Sequence, residues 1–341
     1  MDQQFDLANN VKFILKDNVL AFNSSENFKA VSSAIFNGGC KKVKTVLNIG
    51  VPPGYSDVEL HMDPMRLITS SAAKLNIDNN YLAMVTAANV HNFSLVTKKS
   101  DEFSVSVAAT AGCSHGESSG ENIEVEEITG TINIIVLIEG NPTESCMVAA
   151  LITATEAKSA VLRDFDMRSR YTGDSATGSI TDSVTVASTE QGEQIILAGP
   201  ASKLGKLVGY CTRKAVKEAL LKQEPIWAKR TCLERLRERH ITVEKMATEI
   251  SKIEGVNVDA ERLLGILNSK PAAKIYLLAA SKMDDDYRKN LLPDDYQDWA
   301  SISKSFGVIY NSQDYTKLPN YENIDLPPFI KHALISIVKN A

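Results

Sequence analysis

The chain has 341 residues and a formal net charge of −5. That length suits one large domain with a smaller one, or two equal ones. With 44% hydrophobic and 23% charged residues it has an ordinary globular composition, and it lacks the basic surplus of a nucleic-acid footprint. The cysteines, Cys40, Cys113, Cys146, Cys211 and Cys232, are odd in number and never spaced as CxxC or CxxxC. Neither a disulfide framework nor a zinc site is indicated, and a reducing, cytoplasmic setting is expected. No apolar run approaches the roughly 18–20 residues that span a bilayer. The N-terminus lacks the basic start and apolar middle of a signal peptide, so no membrane partner is expected.

Val11 to Lys16 and Val19 to Phe22 flank Asp17-Asn18 and read as a tight hairpin. Ser25 reads as the N-cap of a helix through Ile35, stopped by Gly38-Gly39. Val43 to Val51 is strand-like. Asp63-Pro64 starts a helix to about Lys74, since Asp caps free amides and proline suits the first helical position. Tyr81 to Val85 is a short buried strand. Phe93 to Thr97 and Phe103 to Val107 alternate and pair across Lys98 to Asp101. Ile132 to Ile138 is apolar without alternation, which suits a strand covered on both faces. A long helix from Thr143 to about Asp164, a strand from Ile180 to Val186 and a helix from Ala201 to about Leu221 complete this half.

Near Glu224-Pro225 the texture changes to helical patterns at Arg230–His240, Thr242–Ile253, Asp259–Leu267 and Ala272–Leu291. A polar, aromatic stretch (Asp295 to Pro328) and a closing helix (Phe329 to Ile337) follow. The expected class is α+β: a mixed β-sheet domain with packed helices over 1–222, then a smaller, mainly helical domain over 226–341.

Several polar groups gather at the ends of apolar elements. His115-Gly-Glu117 matches half of a zinc deaminase signature, but Pro-Cys-x-x-Cys is missing and so is His-Glu-x-x-His. Ser114, beside a base, suits a nucleophile, and His115 a proton carrier; a plain polar loop has the same composition. Glu156 and Lys158 lie two apart, about 200° around a helix, so one faces inward and the other need not. Ala149, Ala150, Ala154 and Ala157 allow that helix a close approach to the sheet. The Thr172–Asp182 loop offers amides and hydroxyls to an anion or an amide oxygen. It lacks the Gly-Lys-Ser/Thr ending of a P-loop and runs into a strand, which argues against ATP. Asp284-Asp-Asp286 reads as a solvated helix face before a cation site, and Arg230, Arg235, Arg237 and Arg239, interleaved with Glu234 and Glu238, as surface pairing.

Taken in order, Asn37-Gly-Gly39, Asn48-Ile-Gly-Val51, Asp63-Pro64, Val85-Thr-Ala-Ala-Asn89, Ala109-Thr-Ala-Gly112, Gly130-Thr-Ile-Asn-Ile-Ile135, Ile152-Thr-Ala-Thr-Glu-Ala-Lys158, the Thr172–Asp182 loop and Gly199-Pro-Ala-Ser-Lys-Leu-Gly205 resemble the adenosylcobinamide amidohydrolase family. The resemblance spans about Ser25 to Ala219. Two departures stand out: Ser114-His115 replaces the family's usual Ser-Asn, and the loop before Asp182 is poorer in glycine. From about Pro225 the chain has no counterpart in the family core.

The resemblance implies hydrolysis of the amide joining aminopropanol to the corrin ring of adenosylcobinamide, giving adenosylcobyric acid in corrinoid salvage. The cobalt belongs to the substrate, so no protein cofactor is expected. Amide hydrolysis needs a nucleophile, a holder for the oxyanion and a proton for the leaving amine. The expected catalytic set is Glu156, Asp182, Ser114 and Lys158. The expected binding set is Asn133, Thr131, Thr181, Thr177, His115, Glu117, Thr86 and Asn89. Water and a Ser/Thr hydroxyl both remain open as nucleophile, and homo-oligomerisation is left open. Two rivals are a non-catalytic corrinoid-binding protein and a self-processing Thr/Ser-nucleophile acyltransferase cut at Thr110, Thr131 or Thr181.

Overall fold

The computed structural model describes residues 2–52, 63–113, 116–121, 130–292 and 323–339. Ser114 and His115 lie outside these residues, as does most of the polar stretch after Asp295. The chain forms two compact units, Met1–Lys229 and Arg230–Ala341.

The first unit opens with three antiparallel strands, β1 (Gln3–Ala8), β2 (Val11–Lys16) and β3 (Val19–Ser32). Asp17 and Asn18 join β2 to β3 with φ of 51° and 62°, the left-handed pair of a twist-matched two-residue turn. The helix expected over Ser25–Ile35 is instead the second half of β3. That half pairs with β4 (Gly39–Gly50) as far as Ser32↔Gly39, past a bulge between Asn23 and Phe28. Ser25, which read as a helix cap, lies in this bulge beside Ser24: Glu26 N donates to Ser24 Oγ at 3.1 Å and Ser25 N to Asn10 O at 3.1 Å. Phe28 and Ala30 are buried from this strand geometry, so long-range pairing overrides the local cap signal.

The remaining strands are β5 (Tyr81–Thr86), β6 (Ser94–Lys99), β7 (Ser104–Gly112), β8 (Thr131–Glu139) and β10 (Ser183–Ser188). A short pair, β9 (Asn141–Pro142) with β11 (Gln194–Ile195), lies apart. The main sheet runs β1-β2-β3-β10-β8-β7-β6, with β4 and then β5 branching from β3. Within the main sheet, pairs β4–β5 and β8–β10 are parallel and the others antiparallel; β9–β11 is parallel.

The sheet curls on itself. Asn48 on β4 donates to Thr110 Oγ1 on β7 at 2.9 Å. Asn133 on β8 donates to Asn48 Oδ1 at 2.8 Å and to the Val85 carbonyl on β5 at 2.9 Å. Phe13, Phe22, Phe28, Met84, Ile135 and Leu137 fill the inside of the curl. Burying side chains of this kind contributes ~1.5–3 kcal/mol each.

Two helices cover the outside of the sheet: α2 (Glu144–Asp164) over β3 and β10, and α3 (Lys203–Gln223) over β6, β7 and β8. Ile132, Ile134 and Val136 meet Ala150, Ala154, Val208 and Ala215 there. Strand β8 is thus apolar from Ile134 to Ile138 because both its faces are covered. Helix α1 (Pro64–Lys74) covers β4 and β5 through Leu67, Ile68 and Ala72, and Asp63 caps it as expected. By length and composition α2 is apolar enough to cross a bilayer, yet half of that stretch is buried inside the protein, as in a core helix.

The first unit extends beyond residue 222. After α3 a 3₁₀ turn, Pro225–Ala228, packs back on the same core through Trp227. Trp227 Nε1 donates to Glu224 Oε2 at 2.7 Å, and Cys113 N donates to Glu224 Oε1 at 3.1 Å.

The second unit holds α4 (Cys232–Arg237), α5 (Val243–Ile250), α6 (Ala260–Ser269), α7 (Pro271–Arg288) and α8 (Pro328–Lys339) around its own apolar core. Thr231 and Glu234 form a capping box on α4. The Asp284–Asp286 run is not simply a solvated face. Asp284 is buried and accepts Phe329 N at 2.8 Å and Ile330 N at 2.9 Å, which caps α8. Arg230 and Arg239 are largely buried and pair with Glu238 and Asp285, so the arginine run is only partly a surface feature.

Candidate active site

Lys158 sits on the buried face of α2, in line with Ala150, Ala154 and Ala157. Those small side chains bring the helix close to the sheet and leave room for the lysine stem. The side chain reaches past the start of β10 to Asp182, with which it forms a nearly buried ion pair. Of the expected pair two positions apart, Lys158 faces inward. Glu156 is exposed, about 100° around the helix from Thr155.

Asp182 is held from every side. Its Oδ2 accepts the Lys158 ammonium and Ser179 N at 3.1 Å. Its Oδ1 accepts Ile132 N at 3.0 Å and the Ser179 hydroxyl. A carboxylate offers about four lone-pair sites, and all are used. Gly178 makes this packing possible: a Cβ there would lie 2.6 Å from Asp182 Oδ2 and 3.0 Å from Lys158 Nζ.

A cleft of about 340 Å³ opens over the pair, lined by Glu117, Ser118, Ser119, Thr155, Lys158, Ser159, Thr177, Gly178, Ser179, Ile180 and Asp182. Two loops form its far wall. Glu117 N donates to Gly178 O at 2.9 Å, and Thr177 N donates to Glu117 O at 2.8 Å. Ser119 N donates to Thr177 Oγ1 at 3.0 Å. Glu121 accepts the hydroxyls of Ser169 and Thr172, pinning the Thr172–Asp182 loop to residues 116–121. Ser159 Oγ donates to Thr177 O at 2.8 Å, tying α2 to the same loop.

Glu117 is different from Asp182. Its Oε1 is buried with no hydrogen-bond partner among the described residues, and Arg170 Nε is 4.0 Å away. Burial raises its carboxyl pKa; Arg170 opposes that and Glu121 adds to it. Cys113, close by, is no nucleophile. Burial and then the charges of Asp182 and Glu224 push its thiol far up, so it stays protonated.

Lys158, Asp182, Thr177 and Glu117, distant in sequence, therefore meet at one cleft. Thr131 and Thr181 lie beside it, hydroxyl to hydroxyl at 2.7 Å. Asn133 does not join them: its side chain points into the curl toward Asn48, on the opposite face of β8 from Ile132. Thr86 and Asn89 serve local turns, accepting Ala88 N at 3.1 Å and His91 N at 3.0 Å. Of the expected site residues, Glu156 and Asn133 thus do not meet Asp182 at this cleft, because Glu156 faces solvent and Asn133 the interior. Of the three candidate self-cleavage positions, Thr110 lies inside β7, Thr131 is the first residue of β8, and Thr181 lies in the turn before β10. Ser179 and Ser159 were absent from the expected set. The Ser179-x-x-Asp182 spacing was the available signal for the first.

A roomier hollow of about 580 Å³ lies near the β6–β7 turn, lined by Asp101 to Phe103, Glu193 to Leu197 and Ser202 to Leu204. Its rim carries the exposed Lys203–Glu102 pair and no expected site residue. Chemistry, not volume, selects the smaller cleft. Among the described residues no group of three or more His, Cys, Asp or Glu is arranged to hold a metal.

The family model described as adenosylcobinamide amidohydrolase matches residues 4–227. The chain belongs to this family. An uncharacterized protein of Methanocaldococcus jannaschii, MJ1613, is 30% identical over 210 residues, 55% of this chain and 81% of that protein. A Methanosarcina mazei protein named adenosylcobinamide amidohydrolase is 27% identical over 219 residues, 62% of this chain and 98% of that protein. The PH0078 protein of Pyrococcus horikoshii covers 60% of this chain and 76% of its own at 11% identity, but with a TM-score of 0.33 it supports no comparison. The family match ends at residue 227, so both walls of the cleft lie within the amidohydrolase unit. The family name implies a corrinoid substrate.

Proposed function

We propose that this protein hydrolyses the amide linking aminopropanol to the corrin ring of adenosylcobinamide, releasing adenosylcobyric acid and aminopropanol in corrinoid salvage. The observation that carries this reading is an ammonium fixed on a saturated carboxylate at the floor of a polar cleft, within the family-matched unit. Amide hydrolysis concentrates negative charge on the carbonyl oxygen as water adds. Lys158 has three N–H donors, and its bond to Asp182 uses one. The others serve that oxygen. Asp182 has no lone pair left to take a proton, so its part is to aim Lys158 and hold the β8 and β10 ends together.

The cleft also fits the substrate's shape in a particular way. At about 340 Å³ it lies near the lower limit of small-molecule sites, which run from about 300 to 1,000 Å³. It admits the amide arm and amino-alcohol, while the macrocycle stays at the mouth. The hydroxyls of Ser118, Ser119 and Thr177 suit the amino-alcohol end. The cobalt arrives with the substrate.

The test is chromatographic assay of aminopropanol release from adenosylcobinamide. Wild type should turn over, and Lys158→Met should lose about 10²–10³ in kcat, the usual effect of removing one oxyanion donor. Tight corrinoid binding with the amide intact after long incubation would replace this reading with that of a carrier.

A further inference from the structure

The structure assigns a proton-transfer role to Glu117: it takes a proton from the attacking water and returns it to the leaving amine. This rests on the amide-hydrolase reading above and fixes its nucleophile as water.

The carboxylates around Cys113 and the cleft differ in what holds them. Asp182 has four donors on two oxygens. Glu121 is occupied by Ser169 and Thr172. Glu224 is occupied by Cys113 N and Trp227 Nε1. Glu156 faces solvent away from the cleft. Glu117 lines the cleft, and its buried Oε1 has no hydrogen-bond partner among the described residues. Its Arg170 neighbour, at 4.0 Å, is an ion-pair partner beyond hydrogen-bond length. A carboxylate with uncommitted lone pairs can accept a proton; a saturated one cannot. Its backbone is fixed on both sides by bonds to Thr177 and Gly178, which carry the loop on the Lys158–Asp182 side.

The chemistry balances. Glu117 removes one water proton as the water oxygen bonds to the amide carbon. The carbonyl electrons move to oxygen, opposite Lys158. As the tetrahedral species collapses, the C–N bond breaks and Glu117 gives its proton to nitrogen. The products are the carboxylic acid and the free amine, and Glu117 ends as it began. The charges acting on Glu117 are those of Arg170 and Glu121, and Lys158 and Asp182 line the same cleft. Burial raises the Glu117 pKa, which moves this carboxyl toward the working range of a base near neutral pH.

Full-length wild type, Glu117→Gln and Glu117→Asp are compared on adenosylcobinamide across pH, and on a 4-nitrophenyl ester of adenosylcobyric acid, whose leaving group needs no proton. Glu117→Gln should lower kcat on the amide by about 10²–10⁴-fold, the usual span for general acid–base groups, with KM within a few-fold. The loss on the ester should be smaller, the acidic limb of kcat/KM should vanish, and Glu117→Asp should restore part of the rate. Circular dichroism should match wild type and Tm should stay close to it, since Oε1 accepts no hydrogen bond and only the 4.0 Å pairing with Arg170 is lost. An active wild type with an equally active Glu117→Gln overturns this role alone. So does equal loss on amide and ester with the acidic limb kept. A wild type that does not cleave the amide removes the amide-hydrolase reading and this role together.

Discussion

Gly178→Ala puts a methyl carbon into the contact between Lys158 and Asp182. The new Cβ would sit 2.6 Å from Asp182 Oδ2 and 3.0 Å from Lys158 Nζ. Ordinary contact begins at 3.4 Å, so the carboxylate must retreat by 3.4 − 2.6 = 0.8 Å. Its φ is not among the left-handed values, so alanine meets no backbone strain and the effect is steric. Asp182 cannot retreat freely, because Ile132 N, Ser179 N and Ser179 Oγ hold it. Overpacking of this kind costs about 1–3 kcal/mol. A catalytic group misplaced by about 1 Å loses about 10²-fold in rate. The expected result is a 10–100-fold fall in kcat (about 1.4 kcal/mol per tenfold) and a modest fall in Tm. Turnover and thermal unfolding of one preparation check it. Wild-type kcat with wild-type Tm would show that Lys158 and Asp182 are not held as described, and the oxyanion role built on them would fall.

Asp182→Asn should destabilise the protein more than Lys158→Met does, because it leaves an ammonium that is 8% exposed facing a neutral amide. Breaking a buried pair costs about 3–5 kcal/mol, readable by urea unfolding. Asp284 gives a pH signature: burial raises its pKa from 3.8 to about 7, so the folded protein holds this proton more tightly than the unfolded chain. Its contribution to stability should therefore fall as pH rises from about 4 to about 7. Unfolding of wild type against Asp284→Asn at pH 5 and pH 8 should show this slope in wild type and a flatter one in the variant. Gly265→Ala, at an exposed interior position of α6 with nothing within 4 Å, should stabilise the helical unit by about 0.5–1 kcal/mol, seen as a higher denaturant midpoint.

Much of the architecture was readable from local pattern. The Asp17-Asn18 hairpin, the Asp63-Pro64 helix start, the largely apolar β8 and the long α2 and α3 each carry a signal within about twenty residues of sequence. Strand β1, and the second half of β3, carried no such signal. Its Ser/Glu/Asn stretch looked like a helix cap, and only pairing with β4 and β10 makes it extended. Asp284 similarly read as one of three surface acids, until α8 folded back to place its amides on it.

By itself the sequence determined most of the elements, the family that Ser25 to Ala219 resemble, and that one of Glu156 and Lys158 faces inward on α2. Periodicity and residue type are local properties, and they survive in a one-dimensional reading. Only the tertiary structure decided which polar groups meet. Asn133 and Ile132 are neighbours in the chain, yet pleating sends one side chain into the curl and the other toward α2, while the Ile132 amide reaches Asp182. Whether a carboxylate is saturated or free depends on donors that arrive from far along the chain. That accounting separates Asp182 from Glu117, and no spacing rule contains it.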